Sequence, residues 1–249
     1  MRAILTYHSI DASNSVISVD PSVLRRQLEW LARSSVRVVP LTTLTTLPDD
    51  ADAVSLTFDD AYQNFGDVVA PLLAEHRFAA TLFVVSEHVG GSNRWRGRSD
   101  PGIPDLPLLG WHELTRLADD GVSLGAHTRT HPKLDRLDPS QLADEIVGAG
   151  ERISRETGHA VTEFAYPYGR STPLATELAR SAYGVACTTE LRVLRGDDDP
   201  LALPRIDMYY CRRPGSLERW GTSWFRYSIG LRSFARAARA RLVPDASPL

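Results

Sequence analysis

Short apolar stretches alternate with longer segments of helical periodicity over most of the chain. The apolar stretches are rich in β-branched residues, which predicts strands at 2–7, 36–39, 53–58, 79–85, 122–126, 162–166, 183–187 and 202–206. Apolar residues three or four positions apart in the intervening segments predict helices at 21–34, 64–75, 111–120, 139–157 and 172–181. An Asp-Pro pair starts the first and the fourth helix, and Gly121 follows the third, as is typical of helix ends.

This alternation implies a parallel sheet with helices outside it. Two architectures satisfy the pattern: a closed (β/α) barrel and an open, doubly wound sheet. The chain has neither GxGxxG after its first strand nor GxxxxGK[ST] anywhere. Nucleotide-binding forms of the open sheet therefore lose support.

The composition is that of an ordinary globular protein. Apolar residues make up 43% and charged residues 24% of 249 residues, which excludes disorder and coiled coil. No apolar run is long enough to predict a transmembrane helix, and polar His8 and Ser9 interrupt the first apolar run before it could serve in a signal peptide. Cys187 and Cys211 are too few for a disulfide framework and fit a reducing compartment. We therefore expect a cytoplasmic protein.

Charge is distributed unevenly along the chain. Residues 1–211 have a net charge of −9 and residues 212–249 a net charge of +6, which predicts a barrel-sized domain over 1–211 followed by a basic tail over 212–249. In the tail, arginines are interleaved with apolar residues that fall on one helical face: Leu231, Phe234, Ala238 and Leu242. Residues 220–243 form either a terminal helix packed on the barrel or an amphipathic helix on an anionic membrane, at its inner face. The acidic body and the lack of a recognition module argue against a nucleic-acid partner.

Two adjacent carboxylates, Asp59 and Asp60, directly follow the apolar strand 53–58. Two close negative charges are costly unless a cation or a proton relieves them. Because side chains diverge at a strand end, one carboxylate could bind a metal ion while the other faces a substrate. An ordinary polar turn is the alternative.

A second pair of candidate ligands is His127 and His131, which follow the apolar run 122–126. This spacing lets two imidazoles converge on one metal ion. Pro132 favours a loop or a single turn there over a continuous helix. Two His with one Asp form a set suited to Zn²⁺, Co²⁺, Ni²⁺ or Fe²⁺, and the second Asp would be a candidate base for a water molecule. Two solvated loop histidines are the alternative.

Residues 164–169, FAYPYG, end a third strand with two aromatic residues around a proline. Tyr166, Pro167 and Tyr168 could form a wall on which a sugar stacks, and a rigid backbone N–H there could stabilise an oxyanion; core tyrosines in a plain turn are the alternative. Further strands end near His8 and Asp207. In a (β/α) barrel all these ends lie on one face and would form one pocket, with the Gly- and Pro-rich segment 90–110 as a lid, a substrate rim or a plain insertion.

Residues 57–60 (TFDD), 127–131 (HTRTH) and 166–169 (YPYG) together resemble the motifs of the polysaccharide deacetylase family, the NodB-homology domain of carbohydrate esterase family four. The resemblance covers roughly residues 1–210. It implies an α/β fold, a distorted (β/α) barrel of about seven parallel strands, in a bacterial enzyme that removes acyl groups, usually N-acetyl from a hexosamine. By the same resemblance Asp59 is the general base, the Tyr168 backbone N–H holds the oxyanion, and a divalent ion, first of all zinc, binds to Asp60, His127 and His131.

Two differences from the usual motifs of the family indicate its permuted branch. Many members carry an arginine shortly before the Pro-Tyr-Gly turn and a late histidine, but this chain has Thr162, Glu163 and Ala165 there and no histidine after His159. The permuted branch, which includes poly-N-acetylglucosamine deacetylases, is a better match. It implies that His8 is the general acid and that Arg205 lies beside Asp59; Asp207 is a weaker candidate for orienting His8.

Three functions remain open from the sequence. The first is a metal-dependent deacetylase of a free, polymeric or lipid-linked N-acetylhexosamine. The second is a hydrolase of a non-sugar amide, imide or formamide that uses the same metal site. The third is a glycan-binding or scaffold domain without catalysis, against which the complete set of acidic and histidine residues argues.

Overall fold

A computed structural model describes residues 1–242 of the chain, so the predicted tail 212–249 and the predicted membrane segment 220–243 extend beyond it. Its strands are β1 (Arg2–Tyr7), β2 (Arg37–Val38), β3 (Ala53–Phe58), β4 (Ala80–Val84), β5 (Ser123–Ala126), β6 (Glu163–Ala165), β7 (Val185–Cys187) and β8 (Ile206–Asp207). Its α-helices are α1 (Pro21–Arg33), α2 (Leu41–Thr46), α3 (Ala70–His76), α4 (Trp111–Asp119), α5 (Pro139–Thr157), α6 (Pro173–Ala182) and α7 (Ser223–Leu242).

All named strands pair in parallel in one curled sheet. Seven of them follow the order β7-β6-β5-β4-β3-β1-β8, and β2 pairs beside β3 off this path. A parallel bridge between Cys187 and Leu203 also links β7 to the segment that enters β8. The structure therefore confirms a distorted (β/α) barrel of about seven parallel strands, and excludes the open doubly wound sheet.

Successive side chains of the strands pack into two separate apolar clusters. In β1, Leu5 and Tyr7 pack with helix residues such as Leu28, whereas Ile4 packs with Phe83 of β4. The second cluster therefore fills the inside of the barrel. Since side chains alternate along a strand, the inward rows of β1, β3 and β5 continue to His8, Asp59 and His127 just beyond the strand ends.

The predicted helices and strands are present, with three main differences. The predicted helix 64–75 starts as a π-helix over Phe65–Val69 before it continues as α3. Helix α2 was not predicted, because the six residues LTTLTT are too short to show a helical period and threonine is a poor helix former. The last strand is Ile206–Asp207 instead of 202–206, and Pro204 lacks the N–H that a longer ladder would need.

The terminal helix α7 packs on the barrel through Phe225 and Ile229, which are buried in the main core cluster. This is the first of the two arrangements considered for the tail. Within residues 1–242, no helix combines the length and apolarity required to cross a bilayer.

Candidate metal and catalytic site

The ends of β1, β3, β5 and β6 bring the predicted site residues into one cavity. The chain segments that follow these strands supply most of its wall, and segments 90–110 and 188–190 supply the rest. Its lining includes His8, Asp59, Asp60, His127, His131, Tyr166 and Tyr168. Residues that are up to about 160 positions apart in the sequence thus share one pocket, as expected for the strand ends of a barrel.

Three buried side chains form a compact group of possible metal ligands. The Asp60 Oδ1 atom lies 3.6 Å from His127 Nε2 and 3.5 Å from His131 Nε2. One ligand atom from each of Asp60, His127 and His131 lies within 4.8 Å of the others. This arrangement would let the three side chains reach the same ion.

Left-handed backbone conformations aim these ligands. A regular strand would point Asp59 and Asp60 to opposite faces, but Asp60 has φ 73° and the next residue, Ala61, has φ 56°. Of the seven non-glycine residues with positive φ in residues 1–242, five are in or beside the cavity: Asp60, Ala61, Thr128, His131 and Tyr168. Such conformations cost free energy and cluster at functional sites.

Hydrogen bonds orient both imidazoles. The His127 Nδ1–H donates to the Ala165 carbonyl oxygen at 2.7 Å, which leaves the Nε2 lone pair on the side of Asp60. The His131 Nδ1 atom is 3.2 Å from the Tyr168 hydroxyl. Histidines that bind metals are usually fixed in this way through their second nitrogen.

The electrostatics of the group fit a divalent cation. Asp60 Oδ1 is buried and has no hydrogen-bond partner among the described residues 1–242, and burial raises the pKa of the Asp60 carboxyl against the opposing effect of His127. Burial and the neighbouring His127 lower the pKa of His131 well below its usual value, which favours the neutral imidazole that ligates metals. A cation would relieve the unpaired oxygen, and two nitrogens with one oxygen suit zinc and similar ions.

Asp59 lies next to this group in a different environment. Its two carboxylate oxygens accept hydrogen bonds from Arg205 Nη1 and Nη2 at 2.7 and 2.8 Å, and Arg205 Nε donates to the Thr188 carbonyl. The His8 Nε2 atom is 3.6 Å from Asp59 Oδ2. Although burial alone would raise the pKa of Asp59, the charges of Arg205, His8 and His127 hold it well below its usual range.

Asp207, the weaker candidate for orienting His8, accepts a hydrogen bond from the Tyr209 N–H at 2.9 Å. Burial raises the pKa of its carboxyl, and the nearby His8 acts in the opposite direction. The contact with Tyr209 caps the short 3₁₀ helix that follows β8. An effect of Asp207 on His8 stays a prediction.

The aromatic turn after β6 differs from the wall expected there. Tyr166 and Pro167 are buried, and the Tyr166 hydroxyl donates to the Leu201 carbonyl at 2.9 Å. Tyr166 adjoins the cavity, but its ring packs in the core and so cannot form an exposed stacking surface. Tyr168 is partly exposed and has φ 58°, which places its backbone N–H in a strained turn at the cavity.

Sequence reasoning missed Tyr62, a buried residue of the cavity lining whose pKa is raised by burial and by the Asp60 carboxylate. It also missed how segment 90–110 is held. Buried Asn93 donates to the Pro104 carbonyl at 2.9 Å and accepts from the Leu106 N–H at 2.9 Å, which folds the segment back on itself. Hydrophobic periodicity does not predict such contacts. Tyr62 and Asn93 also lie outside the motifs.

The folded segment 90–110 places Trp95 against His131, one of the three possible metal ligands. The centre of the Trp95 ring is 4.7 Å from that of the His131 ring and 5.0 Å from that of the His88 ring, whose plane is nearly perpendicular to it. Segment 90–110 therefore forms a rim of the cavity, one of the roles expected for it.

The polysaccharide deacetylase family matches this chain over residues 46–186. The chain belongs to the polysaccharide deacetylase family. YxkH of Bacillus subtilis, whose name describes it as a polysaccharide deacetylase, is 25% identical over 209 residues, which are 82% of this chain and 70% of that protein. The poly-β-1,6-N-acetyl-D-glucosamine N-deacetylase of Staphylococcus epidermidis is 21% identical over 203 residues, 76% of this chain and 67% of its own length.

Among solved structures, IcaB from Ammonifex degensii has the same fold. Its TM-score is 0.70 at 23% identity, with 88% of this chain and 94% of IcaB covered. The family match covers Asp59, Asp60, His127 and His131 but neither His8 nor Arg205. The positions of His8 and Arg205 beside Asp59 in this family member are therefore known from its structure and not from the family match.

Proposed function

We propose that this protein is a metal-dependent deacetylase that hydrolyses the N-acetyl group of an amino sugar. The observation that carries the proposal is the buried Asp60 Oδ1, which no described residue hydrogen-bonds and which faces two oriented imidazoles, with the ionised Asp59 carboxylate beside it. Family membership supports a carbohydrate deacetylase. The named substrate of the S. epidermidis relative supports an N-acetylglucosamine polymer as one candidate, beside free and lipid-linked amino sugars.

Asp60, His127 and His131 would hold the divalent ion, with Zn²⁺ as the first candidate and Co²⁺, Ni²⁺ or Fe²⁺ as alternatives. Bound there, the ion would polarise the acyl carbonyl and make a water molecule more acidic. The bond between His127 Nδ1–H and the Ala165 carbonyl keeps the ligand nitrogen aimed at the ion.

The remaining residues handle protons and charge. Asp59, kept ionised and fixed by Arg205, accepts a proton from the attacking water. The backbone N–H of Tyr168 donates a hydrogen bond to the oxyanion that forms on the acyl carbon. His8 then donates a proton to the departing amine nitrogen, so that the C–N bond breaks and a carboxylate and an amine are released.

The proposal is tested by an acetate-release screen of purified, metal-reconstituted protein on free, nucleotide-linked, polymeric and lipid-linked N-acetylated amino sugars. We expect acetate from at least one of them, and no acetate after chelation of the metal or from an Asp59→Asn variant. Hydrolysis of a cyclic imide or a formamide without any acetate release from amino sugars would contradict the proposal and favour the alternative hydrolase. Metal-loaded protein that binds glycans but hydrolyses nothing would favour a binding domain.

A further inference from the structure

The outer side of α7 carries an apolar face that the barrel does not cover. Trp224, Tyr227, Leu231 and Phe234 are 53%, 68%, 55% and 74% exposed. Their spacing of three, four and three residues places them on one side of the helix, while Phe225 and Ile229 are buried on the opposite side. Among the residues whose side chains the structure describes, the other large apolar ones that are exposed are Val16 and Leu174, which lie in other parts of the chain. The four side chains are called the α7 outer face below.

Arginines surround the α7 outer face. Arg226 and Arg239 are exposed on α7 to either side of it, and the Arg219 guanidinium packs over the Trp224 ring at 4.1 Å. Residues 212–249 contain eight arginines and two acidic residues, a net charge of +6. An apolar stripe flanked by cationic side chains suits the surface of an anionic membrane, where the acyl chains are apolar and the headgroups carry negative charge.

Two other occupants fit less well. Residues 243–249, VPDASPL, offer only Val243 and Leu249 besides proline and alanine as apolar side chains, which is too little to cover four large ones. A second copy of the chain would bring two tails of charge +6 together, which is unfavourable at ordinary ionic strength.

We propose that the α7 outer face docks on an anionic lipid bilayer, with α7 lying in the plane of the interface. The Arg232 guanidinium lies 5.9 Å from the centre of the Tyr210 ring, in the 3₁₀ helix that directly follows β8. Because β8 pairs with β1, which leads to His8, docking would keep this edge of the barrel close to the membrane. The protein binds by apolar insertion and by attraction of the arginines to the headgroups.

The test is flotation of the full chain with phosphatidylcholine vesicles that contain or lack phosphatidylglycerol. We expect binding only to the anionic vesicles, weakened by added salt because the screening length shortens. Trp224→Ser combined with Phe234→Ser should lower the partition coefficient by about tenfold or more, since burial of each aromatic side chain is lost. Arg226→Glu combined with Arg239→Glu should lower it as well.

Leu174→Ser is the matched control, because Leu174 is exposed to 38% but lies on α6; it should bind like the unaltered protein. All variants change exposed side chains, so their thermal unfolding and their hydrolysis of a soluble substrate should stay unchanged, which separates this test from that of the proposed function. Equal flotation of the unaltered and the Trp224/Phe234 variant would overturn the proposal. So would binding to neutral vesicles alone, or a dimer in solution that the same two substitutions dissociate.

Discussion

Asp59 and Asp60 are neighbours in the chain, yet their surroundings shift the pKa of their carboxyl groups in opposite directions. Arg205 holds Asp59 ionised with two hydrogen bonds. Asp60 is buried, and one of its oxygens has no hydrogen-bond partner in the part of the chain that the structure describes, which suits a metal ligand. When environments separate the pKa values of two like groups, the groups take different chemical roles. In the sequence, only the family resemblance indicated which of the two carboxylates is the general base and which is the metal ligand.

The roles of Asp59 and His8 can be separated from metal binding. We expect Asp59→Asn and His8→Ala each to lower kcat by about 10²–10⁴, the usual contribution of a general acid or base. Metal content should stay at the level of the unaltered protein, because neither residue belongs to the group formed by Asp60 and the two histidines. Steady-state kinetics and elemental analysis of the same preparations provide both values. Unchanged kcat in either variant would refute the role assigned to that residue.

His127→Ala should have the opposite pattern. It removes one of the three buried side chains that could hold the metal, so we expect the metal to be lost together with activity. His159→Ala is a suitable control, because His159 is a surface histidine that pairs with Asp119. Equal metal content in the His127 and His159 variants, measured by elemental analysis after dialysis, would mean that the metal binds elsewhere.

At the scale of secondary-structure elements, alternation along the strands predicts a good part of the site. The inward row of β3 runs through Thr57 to Asp59, and that of β5 runs through Gly125 to His127. Both rows follow from a two-residue period. The period fails at Asp60, because a left-handed backbone conformation there redirects the side chain, and it does not extend to His131, which lies beyond the end of β5 with φ 60°. Such conformations depend on the surrounding fold, so no pattern of apolar residues predicts them.

Strand β5 requires glycine at position 125, because the side-chain position there faces the packed inside of the barrel. A Cβ atom there would lie 2.4 Å from the Phe83 ring, and Phe83 in turn lies below the Arg205 guanidinium at 5.8 Å. We expect Gly125→Ala to lower the free energy of unfolding by about 1–3 kcal/mol through overpacking, as measured by urea denaturation.

Gly230→Ala on α7 is the control for Gly125→Ala, since no described atom lies within 4 Å of the added carbon. Alanine is the better helix former, so this variant should be stabilised by up to about 1 kcal/mol or remain neutral. A destabilised Gly230 variant beside an unaffected Gly125 variant would contradict the packing argument.

At the scale of the whole molecule, the basic tail is part of the fold as well as a candidate membrane contact. Phe225 is 1% exposed and joins the main core cluster. Phe225→Ala should therefore lower the free energy of unfolding by about 3–5 kcal/mol, the usual result of removing a buried aromatic ring.

Phe234→Ala, in the same helix but 74% exposed, should change the free energy of unfolding by less than about 0.5 kcal/mol. The comparison is made by urea denaturation of both variants in the absence of lipid. Similar values for the two would show that α7 does not pack on the barrel in solution.

Local periodicity determined the order and type of most elements, the parallel sheet and the positions of the polar motifs at strand ends, because those features depend on residues a few positions apart. Only the tertiary structure decided that Arg205 and Asp59, which are 146 positions apart, share two hydrogen bonds. It also decided that Asp60 faces both histidines, that the Tyr166 ring is buried, and that Trp95 lies against His131. Distances, burial and the pKa values that follow from them belong to the packed molecule, since water is excluded and charges meet only when distant segments come together.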